Sequence, residues 1–166
     1  MSKIILEKRI RGEVAYWSVF LETIMVRIIM LSQPKTRKDK YVNIKDFDFS
    51  TKIDKSFSYL KKFYGPIYKK DFRGLKEEVH DLRLFRNRMI HCPFNWDESD
   101  LSKMTILEIV RDADGMDYYK PIKYRISTVD AQIEKFKKFV RKFIAASFLI
   151  DANLKQEFPE LYKAIL

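Results

Sequence analysis

The chain has 166 residues, 46% of them hydrophobic, and carries 33 Lys and Arg against 23 Asp and Glu, a formal net charge of +10. Length and apolar content fit one domain, 1–166, with a single sizeable core. The basic excess points to an anionic partner, nucleic acid or an acidic membrane surface, with plain solubility as the bland alternative. A single cysteine, Cys92, excludes an intrachain disulfide and makes a reducing, cytoplasmic compartment the simplest expectation. Four glycines and five prolines are sparse punctuation, which favours long helices.

In chain order, the spacing predicts a first helix over about Lys3 to Ser32, with Trp17, Phe20, Leu21, Ile24, Ile28 and Leu31 on one stripe and Pro34 ending it. Its start lacks the long apolar core of a signal peptide. Glu22 and Arg27 inside an amphipathic pattern argue against a membrane span. A basic loop, Lys35 to Lys40, follows. A second helix is expected from a Ser50 cap to about Tyr64, broken by Gly65-Pro66. A third runs from about Tyr68 to His91, because Cys92 precedes Pro93 and a residue before proline disfavours helix.

Phe94 to Asp100 reads as an acidic aromatic loop or the start of a short helix capped at Asn95. Met104 to Arg111 and Met116 to Ser127, joined by Asp112-Ala113-Asp114-Gly115, predict an inserted β-hairpin over about 104–127, with Pro121 making the second strand an edge or a bend. A fourth long helix is expected from Ser127 or Thr128 to about Ala152, burying Ile133, Phe136, Phe139, Val140, Phe143 and Phe148. A last short helix surrounds Pro159. The fold class is therefore mainly all-α, a helical bundle of four to five helices with a small β-hairpin insertion.

The chemistry lies in the third helix. At about 100° per residue, Arg86 falls among Phe72, Leu75, Val79, Leu82, Met89 and Ile90, inside the apolar arc. A guanidinium there needs a carboxylate, such as Glu13 or Glu22, or else a cleft or an interface. Beside that arc run Arg83, Lys76, Asn87, His80, His91 and Arg73, a basic strip that contains both histidines of the chain. Glu77, Asp81 and Arg88 fall on the opposite, solvated face. Arginine can hold two non-bridging phosphate oxygens, and histidine can move a proton near neutral pH. RNA supplies its own nucleophile in the 2′-hydroxyl. Read by type and place, Arg86, Asn87 and His91 are the catalytic candidates, and Arg83, His80, Lys76 and Arg73 the RNA-binding ones.

His80, His91 and Cys92 lack the spacing and the fourth ligand of a zinc site, so no metal and no cofactor is expected. Cys92 has no sequence relay that would make it a nucleophile. Lys135, Lys137, Lys138, Arg141 and Lys142 form a basic run on the fourth helix, either a solvated face or an RNA-backbone contact.

The segment Leu82-Arg83-Leu84-Phe85-Arg86-Asn87-Arg88-Met89-Ile90-His91 resembles the signature of HEPN domains (higher eukaryotes and prokaryotes nucleotide-binding): Arg followed by a polar residue, with His a few residues on, at the end of a core helix. The resemblance covers about ten residues. It implies an all-α bundle, active as a homodimer, in which Arg and His of two protomers converge on one composite site. Many members are metal-independent endoribonucleases of toxin–antitoxin, abortive-infection and CRISPR systems. By this resemblance Arg86 and His91 carry catalysis, Asn87 supports them, RNA is the substrate, and a nucleotidyltransferase-type antitoxin is a plausible partner. The inserted hairpin departs from the minimal family fold. The alternatives are a catalytically inactive module of the same fold that binds nucleic acid or nucleotide, and a scaffold that takes a protein partner through Phe94 to Asp100.

Overall fold

A computed structural model describes residues 2–32, 44, 47–97 and 99–157. The basic loop Lys35 to Lys40 and the short helix around Pro159 lie outside the described residues. The elements are α1 (Lys3–Leu31), α2 (Phe49–Phe63), a helical turn Gly65–Ile67 running into a π-helical turn Tyr68–Phe72, α3 (Lys76–His91), β1 (Phe94–Trp96), β2 (Lys103–Arg111), β3 (Asp117–Arg125) and α4 (Ile126–Glu157). The chain is thus mainly α-helical with a small antiparallel sheet. It divides into two compact units, each drawn from two stretches: Met1–Ser18 with Leu82–Lys137, and Val19–Asp81 with Lys138–Leu166.

In the first unit the buried side chains include Leu6, Ile10 and Val14 of α1, Leu82, Phe85 and Met89 of α3, Met104 and Ile106 of β2, and Val129, Ile133 and Phe136 of α4. The sheet order is β1-β2-β3. Phe94 pairs with Ile106 and Trp96 with Met104 on one side of β2; Lys103 pairs with Arg125 and Arg111 with Asp117 on the other. β1 replaces the loop or short helix expected at Phe94 to Asp100, because Ile106 and Met104 give Phe94 and Trp96 an apolar cross-strand surface to pair with. The β2–β3 connection is held by Asp112, whose carboxylate accepts from the backbone N–H of Asp114 (3.0 Å) and Met116 (2.8 Å), with Gly115 at φ 81°. α4 follows β3 directly, starting one or two residues earlier than its sequence cap suggests and reaching Glu157 rather than Ala152.

In the second unit the core includes Leu21, Met25, Ile28 and Ile29 of α1, Ile53, Phe57 and Leu60 of α2, Phe72, and Phe139, Phe143 and Ile150 of α4. Three rings form its centre: Phe72 lies 4.8 Å from Phe143, and Phe57 lies 5.9 and 5.7 Å from those two, all edge-on. α2 is capped by Asp48 rather than Ser50; the Asp48 carboxylate accepts from Thr51 N–H at 2.7 Å, which a carboxylate two residues upstream does without bending the first turn. The expected helix from Tyr68 to His91 is broken. Gly74 takes φ 77°, a left-handed conformation that ends the π turn, and α3 begins at Lys76. Arg73 and Leu75 therefore leave the helical wheel on which their spacing placed them. Phe148 is a second departure: it is 61% exposed, five residues beyond Phe143 and so turned about 140° from it, while Ala146 and Ile150 continue the buried side.

Among the described residues, α1 is the helix long and apolar enough to cross a membrane. Its two inner charges are paired within the protein: Glu22 with Lys52 at 2.8 Å and Arg27 with Asp151 at 3.1 Å. Its fully buried row runs Ile10, Val14, Ser18, Leu21, Met25 and Ile28, turned from the expected stripe, on which Trp17, Phe20 and Ile24 are only half-buried. Ser18 tolerates its place in that row by donating to Ala15 O at 3.0 Å.

Candidate functional site

α3 delivers the RNxxxH segment to its own C-terminal end. Cys92, ahead of Pro93, cannot continue the helix, and its N–H closes the last turn on Arg88 O at 3.1 Å. The last carbonyls of a helix need outside donors. Arg11 of α1 provides them: its Nη1 donates to Met89 O (2.9 Å) and Ile90 O (2.7 Å), and its Nη2 to Cys92 O (3.0 Å). Glu7, one turn back on α1, takes Arg11 Nε at 2.9 Å, and the guanidinium lies 4.2 Å over the Phe94 ring. A cation at a helix C-terminus is also favoured by the helix dipole. Arg11 therefore fixes the backbone on both sides of His91. Nothing in the sequence separates it from its basic neighbours Lys8 and Arg9; only the fold shows that Arg11 turns to the end of α3 while Arg9 turns to Asp130.

Loss of this cap is measurable. Arg11→Ala is expected to cost about 2 kcal/mol in urea denaturation, since three carbonyls lose a charged donor. Arg11→Lys is expected to restore less than half, because an ammonium cannot span the same three acceptors. A stability change under about 0.5 kcal/mol, the range of an ordinary surface substitution, would show that solvent caps the helix instead.

Arg86 is half-buried, and its Nη1 donates to the Asn87 side-chain oxygen at 3.0 Å. Neither proposed acid reaches it. Glu13 lies 3.8 Å from both Arg9 and Lys137, and Glu22 is taken by Lys52. The Nε atoms of Arg86 and Arg83, one turn apart, are buried without a hydrogen-bond partner among the described residues. The apolar side of α3 centres on Leu82, Phe85 and Met89, so Arg86 borders it rather than standing in its middle. The shift has a cause in the hairpin, whose Tyr124 ring lies 6.1 Å from Phe85 and draws that residue into the core.

Arg88 does not share the solvated face assigned to it. It is half-buried and donates to Glu108 of β2 at 2.9 Å, a bond that raises its pKa against the cost of partial burial. His91, the last residue of α3, is exposed. Burial pushes the Cys92 thiol up, which leaves it a poor nucleophile.

The strip expected to bind RNA is only partly open. In the second unit, Lys76 Nζ and His80 Nε2 both meet Asp54 Oδ1 of α2, at 2.7 and 3.2 Å, and the Lys76 bond holds the Asp54 carboxyl below its usual range. Arg73 is exposed, beyond the Gly74 break. The basic run on α4 is likewise divided. Lys137 bonds Glu134 at 2.7 Å and lies 5.7 Å from the Trp17 ring, and Lys142 donates to Asp71 O at 3.2 Å, whereas Lys135, Lys138 and Arg141 are exposed. Among the described residues no group of three His, Cys, Asp or Glu is placed to hold a metal ion.

No family model, no curated protein and no solved structure matches the chain.

Proposed function

We propose that the chain is a metal-independent endoribonuclease of the HEPN type. It works as a cytoplasmic homodimer, a prokaryotic toxin or defence effector held in check by a nucleotidyltransferase-type antitoxin. The observation that carries the reading is Arg86, coupled to Asn87 yet keeping an unpartnered buried Nε, about 7.5 Å along the helix axis from exposed His91. Buried donors without acceptors are rare; among the described residues Arg86 Nε shares that state with the Nε atoms of Arg9 and Arg83 and with Trp96 Nε1, and of these Arg86 and Arg83 lie on the helix that ends at His91. The +10 net charge suits a polyanionic substrate.

The 2′-hydroxyl of the RNA attacks the adjacent phosphorus while its proton passes to a base. The P–O5′ bond then breaks, and the leaving oxygen takes a proton from an acid. The products end in a 2′,3′-cyclic phosphate and a 5′-hydroxyl. The imidazoles of His91 from two protomers serve as the proton carriers. Arg86 neutralises the charge that builds on the non-bridging oxygens, and Asn87 holds the guanidinium in plane.

The test is incubation of the purified protein with total RNA and with a tRNA pool in EDTA, followed by mapping of product ends. Cleavage leaving cyclic-phosphate ends is expected. Arg86→Lys should lower the rate by about 10²–10³, because a point charge replaces a two-pronged donor. A folded dimer that cuts no RNA under these conditions would transfer the chain to a non-cleaving binding module.

A further inference from the structure

The open face of the three-stranded sheet belongs to the first unit and takes no part in the site at the end of α3. The register places Lys103, Thr105, Leu107, Ile109 and Arg111 of β2 opposite Arg125, Lys123, Pro121, Tyr119 and Asp117 of β3, and alternation puts all of them on one face with Asn95 of β1. The other face buries Met104 and Ile106 and sends Glu108 and Tyr124 to Arg88 and Phe85 of α3.

The open face is graded along its length. One end opens on a cleft of about 460 Å³ lined by Lys103, Thr105, Lys123 and Arg125 of this face, by Asp97, and by Met104 and Tyr124. Its lining carries three cations and the Asp97 carboxylate. Lys103 is paired with Asp100 at 2.7 Å, while Lys123 and Arg125 form no ion pair among the described residues. Asp97 is itself occupied, accepting from the Ser99 N–H (3.0 Å) and hydroxyl (2.6 Å). The middle of the face is apolar and uncovered: Ile109 is 62% exposed and its cross-strand partner Tyr119 is 65% exposed. The far end is closed by the Arg111–Asp117 pair at 2.9 Å.

We propose that this face docks a single RNA strand, with phosphates over Lys123 and Arg125 in the cleft and a base laid on the Tyr119 ring. Charge complementarity selects the occupant. Cations with no ion pair among the described residues and a hydroxyl match a phosphodiester backbone, and an exposed ring four residues, about 13 Å, along the same strand face suits a base of the same strand. An added β-strand from a protein partner is disfavoured, because Pro121 removes a backbone donor from edge strand β3 and β1 is only three residues long. The surface also has a route to the α3 site. Asn95 stands on the open face four residues after His91, within about 14 Å of extended chain. The identification of the strand as substrate rests on the ribonuclease reading; its docking does not.

The test is fluorescence anisotropy with a labelled oligouridylate across a salt series, on the full chain. Lys123→Ala/Arg125→Ala should weaken binding about tenfold and reduce the log–log salt slope by about 1.4, two contacts on a single strand. Tyr119→Ala should weaken it about tenfold as well, and Tyr119→Phe should restore it. Lys61→Ala/Lys62→Ala removes the same charge from exposed positions on α2 and should change little. Equal losses in the α2 control, no loss in the sheet variants, or equal binding of duplex RNA or of a polyglutamate peptide would each overturn the proposal. Cleavage is scored separately with the same proteins. Binding that depends on the sheet, with no cleavage by the unmodified chain, upholds the docking face while the ribonuclease reading falls.

Discussion

His91→Ala is expected to lower metal-independent RNA cleavage by about 10²–10⁴, the usual contribution of a positioned acid–base group. Folding stability should move by no more than about 1 kcal/mol, the upper range of a helix-terminal cation. The separation follows from the geometry of the helix end. His91 is exposed, and the carbonyls around it are satisfied by Arg11 and not by the imidazole. Removing the ring therefore leaves the cap in place. Single-turnover cleavage and urea denaturation of the same preparation measure the two effects. A variant that cuts RNA at the unmodified rate would remove His91 from the chemistry. A variant that unfolds would mean that the imidazole holds structure that Arg11 does not. Oligonucleotide affinity is a third readout and should stay within about twofold, because one exposed side chain adds little to a backbone-driven interaction.

Phe143→Ala is expected to destabilise the chain by about 3–5 kcal/mol. Its ring is fully buried and meets Phe72 at 4.8 Å and Phe57 at 5.7 Å, so deletion leaves a cavity bordered by two large side chains that cannot both move in. At about 2–4 °C per kcal/mol for a chain of this size, the melting temperature should fall by about 6–20 °C. Phe148→Ala is the control. Five residues away on the same helix and exposed, it should cost less than about 0.5 kcal/mol. Equal effects at the two positions would mean that the ring cluster does not organise the second unit.

Much of the helical frame was legible because it rests on local rules. Three- and four-residue spacing marked α1 and α4, Cys92-Pro93 marked the end of α3, and Asp112 to Gly115 marked the hairpin turn. Failures arose where a non-local partner decided. Phe85 and Arg88 changed environment because β2 and β3 cover that side of α3. Phe94 to Trp96 became a strand because β2 offered it an edge. Ser18 entered the buried row of α1 because its hydroxyl found a carbonyl one turn back, which a hydropathy pattern cannot register. In the site, the order Arg-Asn-x-x-x-His was visible, and so was the need to compensate Arg86. That an amide would do so, and not Glu13 or Glu22, was not. Arg11 was invisible because the chain is rich in lysine and arginine, and only backbone placement distinguishes a cation that caps a helix from one that faces water.

The Arg11 contacts also set an order of assembly. Arg11 and the carbonyls it reaches are 78 to 81 residues apart in the chain. Helix α3 can form locally within microseconds, whereas a contact across so long a separation must wait for the intervening chain to be made and collapsed. During synthesis the first helix is therefore outside the ribosome, without its partner, until the end of α3 emerges. The segment proposed to cut RNA thus acquires its Arg11 cap only once α1 and the end of α3 have met.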